Sequence, residues 1–367
     1  MKSIRKWVIR VPSTSANIGP GFDVLGLALS LYLTINLQID SNSTSKLTQL
    51  TYEGLGSNEA PKDPYQNLIT RVALYVLRSN QIKSFPNGLT LHIENQIPFG
   101  RGLGSSGAAV IAGVELGNIL GNLNLTINRK LDYALMVERH PDNVTAALLG
   151  GFVASYLKEL SPEDLNVISI PLAEVLPEFP IDANESWGYD PPKPPIGIGH
   201  YIRLDWSKEI KCVVIVPEFE VSTSKARDVL KEQYSRKDVV FNFQRLAVLT
   251  TALGRSPPDP DLIYQAMQDR IHQPYRKTLI PALPTLTSTM TPATHPGLLG
   301  ICLSGAGPTI LCLATGNFEQ IANDVMEVWK SEAGVKCWWK VLNVNSNNQH
   351  SDLNLDHGGS HVKEIFD

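Results

Sequence analysis

The chain has 367 residues, 43% of them hydrophobic and 19% charged. That length exceeds a typical single core and implies two domains, and the composition is that of a folded globular protein. A formal charge of −4 gives no electrostatic ground for nucleic-acid binding, although a local cluster of Arg can still meet a small anion.

The N-terminal stretch "MKSIRKWVIRVPSTS" is basic, but Arg10 and Pro12 interrupt any apolar run, so it does not read as a secretory signal. "KWVIRVP" and "LALSLYLTINLQI" read as strands, with the polar, Gly-rich turn "SANIGPGFDVLG" between them. Asn67 to Asn80 carries apolar residues at helical spacing, and "LTLHIENQI" alternates as a strand before "PFGRGLGSSGAAV", Pro98 to Val110. The patterns "SGAAVIAGVELGNIL" and "NRKLDYALMVERH" predict helices, and "LLGGFVASYL" a turn followed by a strand. Pro and Gly crowd the stretch from about Leu160 to His200, which reads as a connection between domains.

Beyond it, "IKCVVIVPEFEVS" predicts a buried strand, and "TSKARDVLKEQ" a helix capped by Ser222 or Thr223. "FNFQRLAVLTTAL" and "PDLIYQAMQDR" are helical in pattern, the second with Asp259 as its cap. "GLLGICLSGAGPTILCLATG" is uncharged and about as long as a membrane span. Its centre, Ser304 to Pro308, would break a spanning helix, so two β-rich runs around a glycine turn are expected and no membrane span. The polar excursion after Asn343 leads to a last strand, "SHVKEIF". Cys212, Cys302, Cys312 and Cys337 show neither a CxxC pair nor zinc spacing. They read as inert thiols in a reducing, cytoplasmic compartment.

The loop at Pro98 to Val110 poses the functional question. Gly102, Gly104 and Gly107 formally satisfy GxGxxG between a strand and a helix. A dinucleotide site would also need a second strand ending in an acid about 20 residues on, and the first acid there, Asp132, sits in a helical pattern. No Lys-Ser/Thr follows the glycines, as a Walker A loop requires, and the glycine spacing around Ser105 and Ser106 is wrong for a hydrolase nucleophile elbow. What remains is backbone able to approach an anion, a helix N-terminus, and two hydroxyls suited to phosphate or Mg²⁺. Phosphate binding and a merely tight strand–helix turn both stay open on the loop alone.

With its flanks, "PFGRGLGSSGAA" resembles the ATP loop of the GHMP kinases. "VPSTSANIGPGFDVLGLAL" (Val11 to Leu29) and "GICLSGAGPTILCL" (Gly300 to Leu313) are similar to that family's first and third signatures, in the right order and across nearly the whole chain. Within the family, "SANIGPGFD", "ERHPDNVTAALLGGF", "STSKARDVL" and "QDRIHQPYRKTLIP" resemble the homoserine kinase branch, and its fungal members in particular. The resemblance implies a two-domain α+β fold. An N-terminal ATP-binding domain over 1–165 would carry a left-handed βαβ unit, and a ferredoxin-like domain would span 201–345. The stretch 166–200 would connect them, and a terminal strand at about 355–367 would return to the first domain.

It also implies the activity, ATP- and Mg²⁺-dependent phosphorylation of the L-homoserine hydroxyl in threonine biosynthesis, with homoserine and ATP as small-molecule partners and a homodimer as a family-level expectation. Asn17 and Asp23 match the positions that hold the amino-acid end, with turn chemistry as the alternative for both. Arg227 and Arg276 are the candidates to clamp the carboxylate bidentately, with Arg270 a weaker competitor. His140 and Asn143 match the pair at the substrate hydroxyl, and Gly305 the third signature's contact. A structural His at a helix end is the alternative for His140. Ser106 and Glu138 match the Mg²⁺ ligands. Pro98, Gly100, Arg101, Gly102, Leu103, Gly104, Ser105, Ser106 and Gly107 form the implied nucleotide loop. Asn67 matches a position near adenine or caps its helix, and Thr223 orders the reactants or caps its own.

Catalysis without a strong side-chain base, with Asn143 orienting the hydroxyl, is the expectation. Asp23 as base is the rival. A non-catalytic sensor of the same fold, or a kinase of another alcohol such as mevalonate, are the remaining alternatives. Retention of the loop serines and Glu138 speaks against the sensor, and the Arg pair and "HPDN" against mevalonate.

Overall fold

The structure, a computed structural model, describes residues 4–46, 48–164, 184–186, 188, 190–344 and 358–365. In chain order it opens with β1 (Ile4–Ala16), β2 (Leu25–Asp40), β3 (Gln49–Gly54), α1 (Leu68–Ser79) and β4 (Leu89–Asn95). Then follow α2 (Ser105–Gly121), α3 (Ile127–Val137), α4 (Pro141–Leu149), β5 (Phe152–Leu157) and β6 (Gly199–Leu204). The second half holds β7 (Lys211–Pro217), α5 (Thr223–Asp228), α6 (Arg236–Ala252), α7 (Pro260–Ala266), α8 (Gln273–Arg276) and α9 (Leu283–Thr289). It closes with β8 (Leu298–Leu303), β9 (Ile310–Ala314), α10 (Phe318–Ala333), β10 (Cys337–Leu342) and β11 (His361–Ile365).

The first sheet runs β11-β1-β2-β4-β3, with β5 and β6 attached beside β2. Its long strands alternate as their sequences predict: β2 buries every second side chain from Leu29 to Ile39. β3 and β4 pair in parallel, so α1 is the crossover of a βαβ unit. α1 is buried along its whole length and packs on α2. Gly113 and Gly117 permit that approach, since a Cβ at either would meet α1 within 3 Å.

The second sheet has the order β10-β7-β9-β8, antiparallel throughout. Counted within the domain this is 4-1-3-2 with helices between strands 1 and 2 and between 3 and 4, the ferredoxin-like arrangement. β11 pairs antiparallel with β1 and brings the chain's end back to the first sheet. β6 also belongs to the first sheet, which carries that sheet to Leu204, past the expected boundary at 200. Most of the expected connection lies outside the described residues. Among those described, no helix is long and apolar enough to cross a membrane. The run Gly297 to Gly316 forms β8, a turn and β9.

Two strips of chain join the sheets. The β8–β9 turn lies against β1: the Gly305 N–H donates to the Ala16 carbonyl at 2.9 Å, and the Ser304 hydroxyl donates to Gly102 O at 2.6 Å while its oxygen lies 2.8 Å from Ser15 Oγ. Arg101 reaches from the loop before α2 into the second domain. Its guanidinium donates to the carbonyls of Pro217 (3.1 Å) and Glu218 (2.6 Å) and ion-pairs with Glu220. A cavity opens beside these strips, lined among others by Gly102, Glu220 and Gly305.

Candidate active site

The cavity, about 440 Å³, is bounded by the glycine loop, the β1–β2 turn, the start of α4, and the second domain's α5, Arg276 and Gly305. At one end lie Gly100, Gly102, Gly104, Ser105 and Ser106. Gly104 sits at φ +72° as the residue before α2, and a Cβ there would fall 1.9 Å from Thr14 Oγ1. The first N–H groups of α2 have no acceptor within the helix, so this end offers donors and a positive dipole to an anion. Pro98, Leu103 and Gly107 are buried and do not line the cavity.

Substituting Ala at Gly104 combines left-handed strain with that clash. Activity of a folded Gly104→Ala enzyme is expected to fall about five- to thirtyfold, on the roughly 1–2 kcal/mol cost of the backbone alone. Steady-state kinetics beside a circular-dichroism spectrum checks this.

Ser106 Oγ donates to Glu138 Oε2 at 3.1 Å, and Glu138 Oε1 lies 2.7 Å from His140 Nδ1. Glu138 is 5% exposed and lines the cavity, so it does not simply face solvent. His140 occupies the position before α4, yet makes no side-chain capping bond. Asn143 Oδ1 accepts from the Thr14 hydroxyl at 2.8 Å, and its amide nitrogens donate to Asp142 Oδ1.

The other end carries opposite charges in close company. Arg227 donates to both oxygens of Asp23, at 3.1 and 2.6 Å, and Asn17 Oδ1 accepts from the Asp23 N–H at 2.8 Å. Asn17 and Asp23 adopt φ +58° and +55°, so they shape the turn as well as lining the cavity. Arg276 is 1% exposed; Nε donates to Ala226 O, and Nη1 to Gly305 O and His272 Nδ1. Burial first, and then the Arg227 charge, draw its pKa down to about 10. Phe22 lies beneath both guanidiniums, 5.2 Å from Arg227 Cζ and 5.5 Å from that of Arg276.

Asp142 completes this end. It is fully buried and lines the cavity, and its Oδ2 has no hydrogen-bond partner among the described residues. Burial, then the neighbouring Asp23 charge, push its pKa up to about 7 against the opposing pull of His140. A cation entering the cavity is what such a carboxylate lacks.

Several expected residues are engaged elsewhere. The Arg101 side chain is bound to the second domain and does not line the cavity, because Glu220 and two carbonyls hold it. Asn67, 1% exposed, caps α1 by accepting from Ile69 N and donates to Tyr52 Oη and Pro61 O. Its side chain therefore stands apart from the cavity. Arg270 is no clamp: it stacks on Phe241 at 3.8 Å and pairs with Asp238 at 3.4 Å. Thr223 lines the cavity as the first residue of α5, and Ser222 is the cap, accepting from Lys225 N. Thr14, Phe22 and Asp142 were not singled out from sequence. Each stands inside a recognised segment, where a carboxylate, hydroxyl or ring beside an expected ligand was the available signal.

Comparison with known proteins agrees with this geometry. The profile described as GHMP kinases N terminal domain matches residues 67–151, from the start of α1 through the loop and α4. A homoserine kinase of Saccharomyces cerevisiae is 54% identical over 347 residues, covering 92% of this chain and 96% of that protein. One from Schizosaccharomyces pombe is 50% identical over 339 residues, covering 92% and 96%. The crystal structure of a homoserine kinase from Cytophaga hutchinsonii superposes with a TM-score of 0.68 at 25% identity, covering 99% and 98%. An L. major mevalonate kinase, 15% identical at TM-score 0.59 over 95% of this chain and 97% of its own, shares the fold. The fold is that of a GHMP kinase. Within that group the chain belongs to the homoserine kinase family.

Proposed function

We propose that L-homoserine lies between Asp142 and Arg276, its hydroxyl turned toward Asn143 and the glycine loop that holds ATP. The protein is an ATP-dependent phosphotransferase acting on a hydroxyl, a homoserine kinase. The observation that carries the placement is a buried guanidinium and a buried carboxylate, one of whose oxygens lacks a hydrogen-bond partner among the described residues, on the walls of one cavity with the loop. Homoserine is a zwitterion of matching sign. The hydrogen bonds of Arg276 run from Nε and Nη1, which leaves Nη2 to offer the carboxylate a donor.

In the transfer, the hydroxyl oxygen bonds to the γ-phosphorus as the bond to the β–γ bridging oxygen breaks, and ADP leaves. Asn143, held by Thr14, orients that hydroxyl. An amide cannot accept its proton at neutral pH, and in a loose transition state the proton departs late, passing to an oxygen of the transferred phosphoryl group or to water. Asp23 as base would first have to leave the two donors of Arg227. An Asp23→Asn enzyme is therefore expected to retain most of its kcat while KM for homoserine rises; a kcat fallen several hundredfold at unchanged KM would make Asp23 the base.

Mg²⁺ fits the Ser106 hydroxyl and Glu138 carboxylate, hard oxygen donors already 3.1 Å apart at the phosphate end. Among the described residues no cluster of three or more His, Cys, Asp or Glu forms a self-sufficient metal site, so phosphate oxygens and water would complete the shell. Bound there, the ion would offset charge on the transferring phosphates. Glu138→Gln is expected to raise the Mg²⁺ concentration giving half-maximal rate by roughly tenfold or more, on the scale of lost metal-site ligands. A Mg²⁺ titration at fixed ATP reads this. The four free cysteines, three of them buried, support a reducing, cytoplasmic setting.

A further inference from the structure

His272 lies behind Arg276, fully buried and immediately before α8. Arg276 Nη1 stands 3.2 Å from its Nδ1. A guanidinium can only donate, so Nδ1 carries the lone pair and the ring proton is on Nε2. Nε2 stands 2.7 Å from the Gly19 carbonyl and donates to it. One neutral tautomer follows from the two partners, and both burial and the Arg276 charge act to keep the ring neutral. Asp269, 3.5 Å from Nε2, accepts from the N–H groups of Ile271, His272 and Gln273 and from Asn242. It anchors the segment rather than taking the ring's proton. The ring stacks on Phe22 at 5.4 Å and 26°. Gly19 begins the turn that ends at Asp23, so one imidazole ties that turn to the guanidinium facing it.

We propose that His272 is a positioning residue for carboxylate recognition, its Nδ1 lone pair orienting Arg276 while its Nε2–H holds the Gly19–Asp23 turn. The inference rests on the reading that Arg276 receives the homoserine carboxylate. The roles of the two nitrogens separate by substitution. In His272→Asn the amide oxygen stands where Nδ1 stood and still accepts from Arg276. In His272→Gln the amide reaches the Nε2 position and serves Gly19, leaving Arg276 without its acceptor.

The test compares L-homoserine with 3-aminopropan-1-ol, the same amino alcohol without the carboxylate, using wild type and both variants, each first shown folded by its melting transition. His272→Gln is expected to lower kcat/KM for homoserine by about tenfold, the scale of one charged hydrogen bond. Its kcat/KM for 3-aminopropan-1-ol and its KM for ATP should stay within about twofold, and His272→Asn should hold wild-type discrimination within about threefold, since Arg276 keeps its acceptor. Equal losses on both substrates, a His272→Gln enzyme that discriminates like wild type, or a folded His272→Asn enzyme that has lost discrimination would each overturn the proposal. A wild-type enzyme that fails to prefer homoserine would instead remove the carboxylate reading beneath it.

Discussion

Replacing Arg276 by Met is expected to lower kcat/KM for L-homoserine by about a hundredfold or more, on the roughly 1.5–3 kcal/mol lost per charged hydrogen bond. ATP affinity should stay near that of the parent. The size follows from burial: Arg276 is 1% exposed, so water cannot replace it at the substrate carboxylate. The asymmetry follows from position, since its hydrogen bonds go to Ala226, His272 and Gly305 of the second domain and its ring contact to Phe22, and none of these lies on the glycine loop. Met conserves the stem and leaves a neutral wall. Calorimetric binding of an ATP analogue beside homoserine kinetics checks both halves. Equal loss of ATP binding would mean that Arg276 organises the whole cleft.

The second large effect is expected at Asp142. Its pKa in the free enzyme lies near 7, raised by burial and by Asp23. Below that value the carboxyl is protonated and cannot pair with the homoserine ammonium; above it the charge is present and the pair forms. KM for homoserine should therefore fall as pH rises through about 7 and level off above, while the ATP KM shows no matching step. Asp142→Asn keeps the shape and the bonds to Asn143 but removes the charge. Its homoserine KM should rise by about tenfold or more at pH 8, on the scale of a lost buried charge pair, and its dependence on pH should flatten. A pH profile of KM for parent and variant decides this. A step that persists in Asp142→Asn would belong to another group.

Sequence carried the frame well and the wiring less so. Alternation in β2, the helical spacing of α1 and the Gly-Ser loop each show in a few adjacent residues, because strand period, helix period and turn chemistry are local properties. The short helix α4 has no counterpart in the sequence patterns, because Pro141 to Ala147 falls between the helical pattern ending at His140 and the turn beginning at Leu148. That blurred the site, since α4 presents both Asp142 and Asn143. Arg101 shows the deeper limit. Its place in the loop suggested phosphate, but its direction was decided by Glu220, 119 positions away. Asn67 offered a cap and an adenine contact equally, and the bonds to Tyr52 and Pro61 that engage it are tertiary. Asp142 stood in plain view within "HPDN", but a carboxylate's burial and missing partner are properties of packing.

The most direct test of the account is turnover itself, with ATP and Mg²⁺ present and L-homoserine, mevalonate and galactose offered separately. ADP release matched by O-phospho-L-homoserine is expected, with homoserine alone supporting it. ATP bound but none of the three phosphorylated, or mevalonate phosphorylated in place of homoserine, would contradict it.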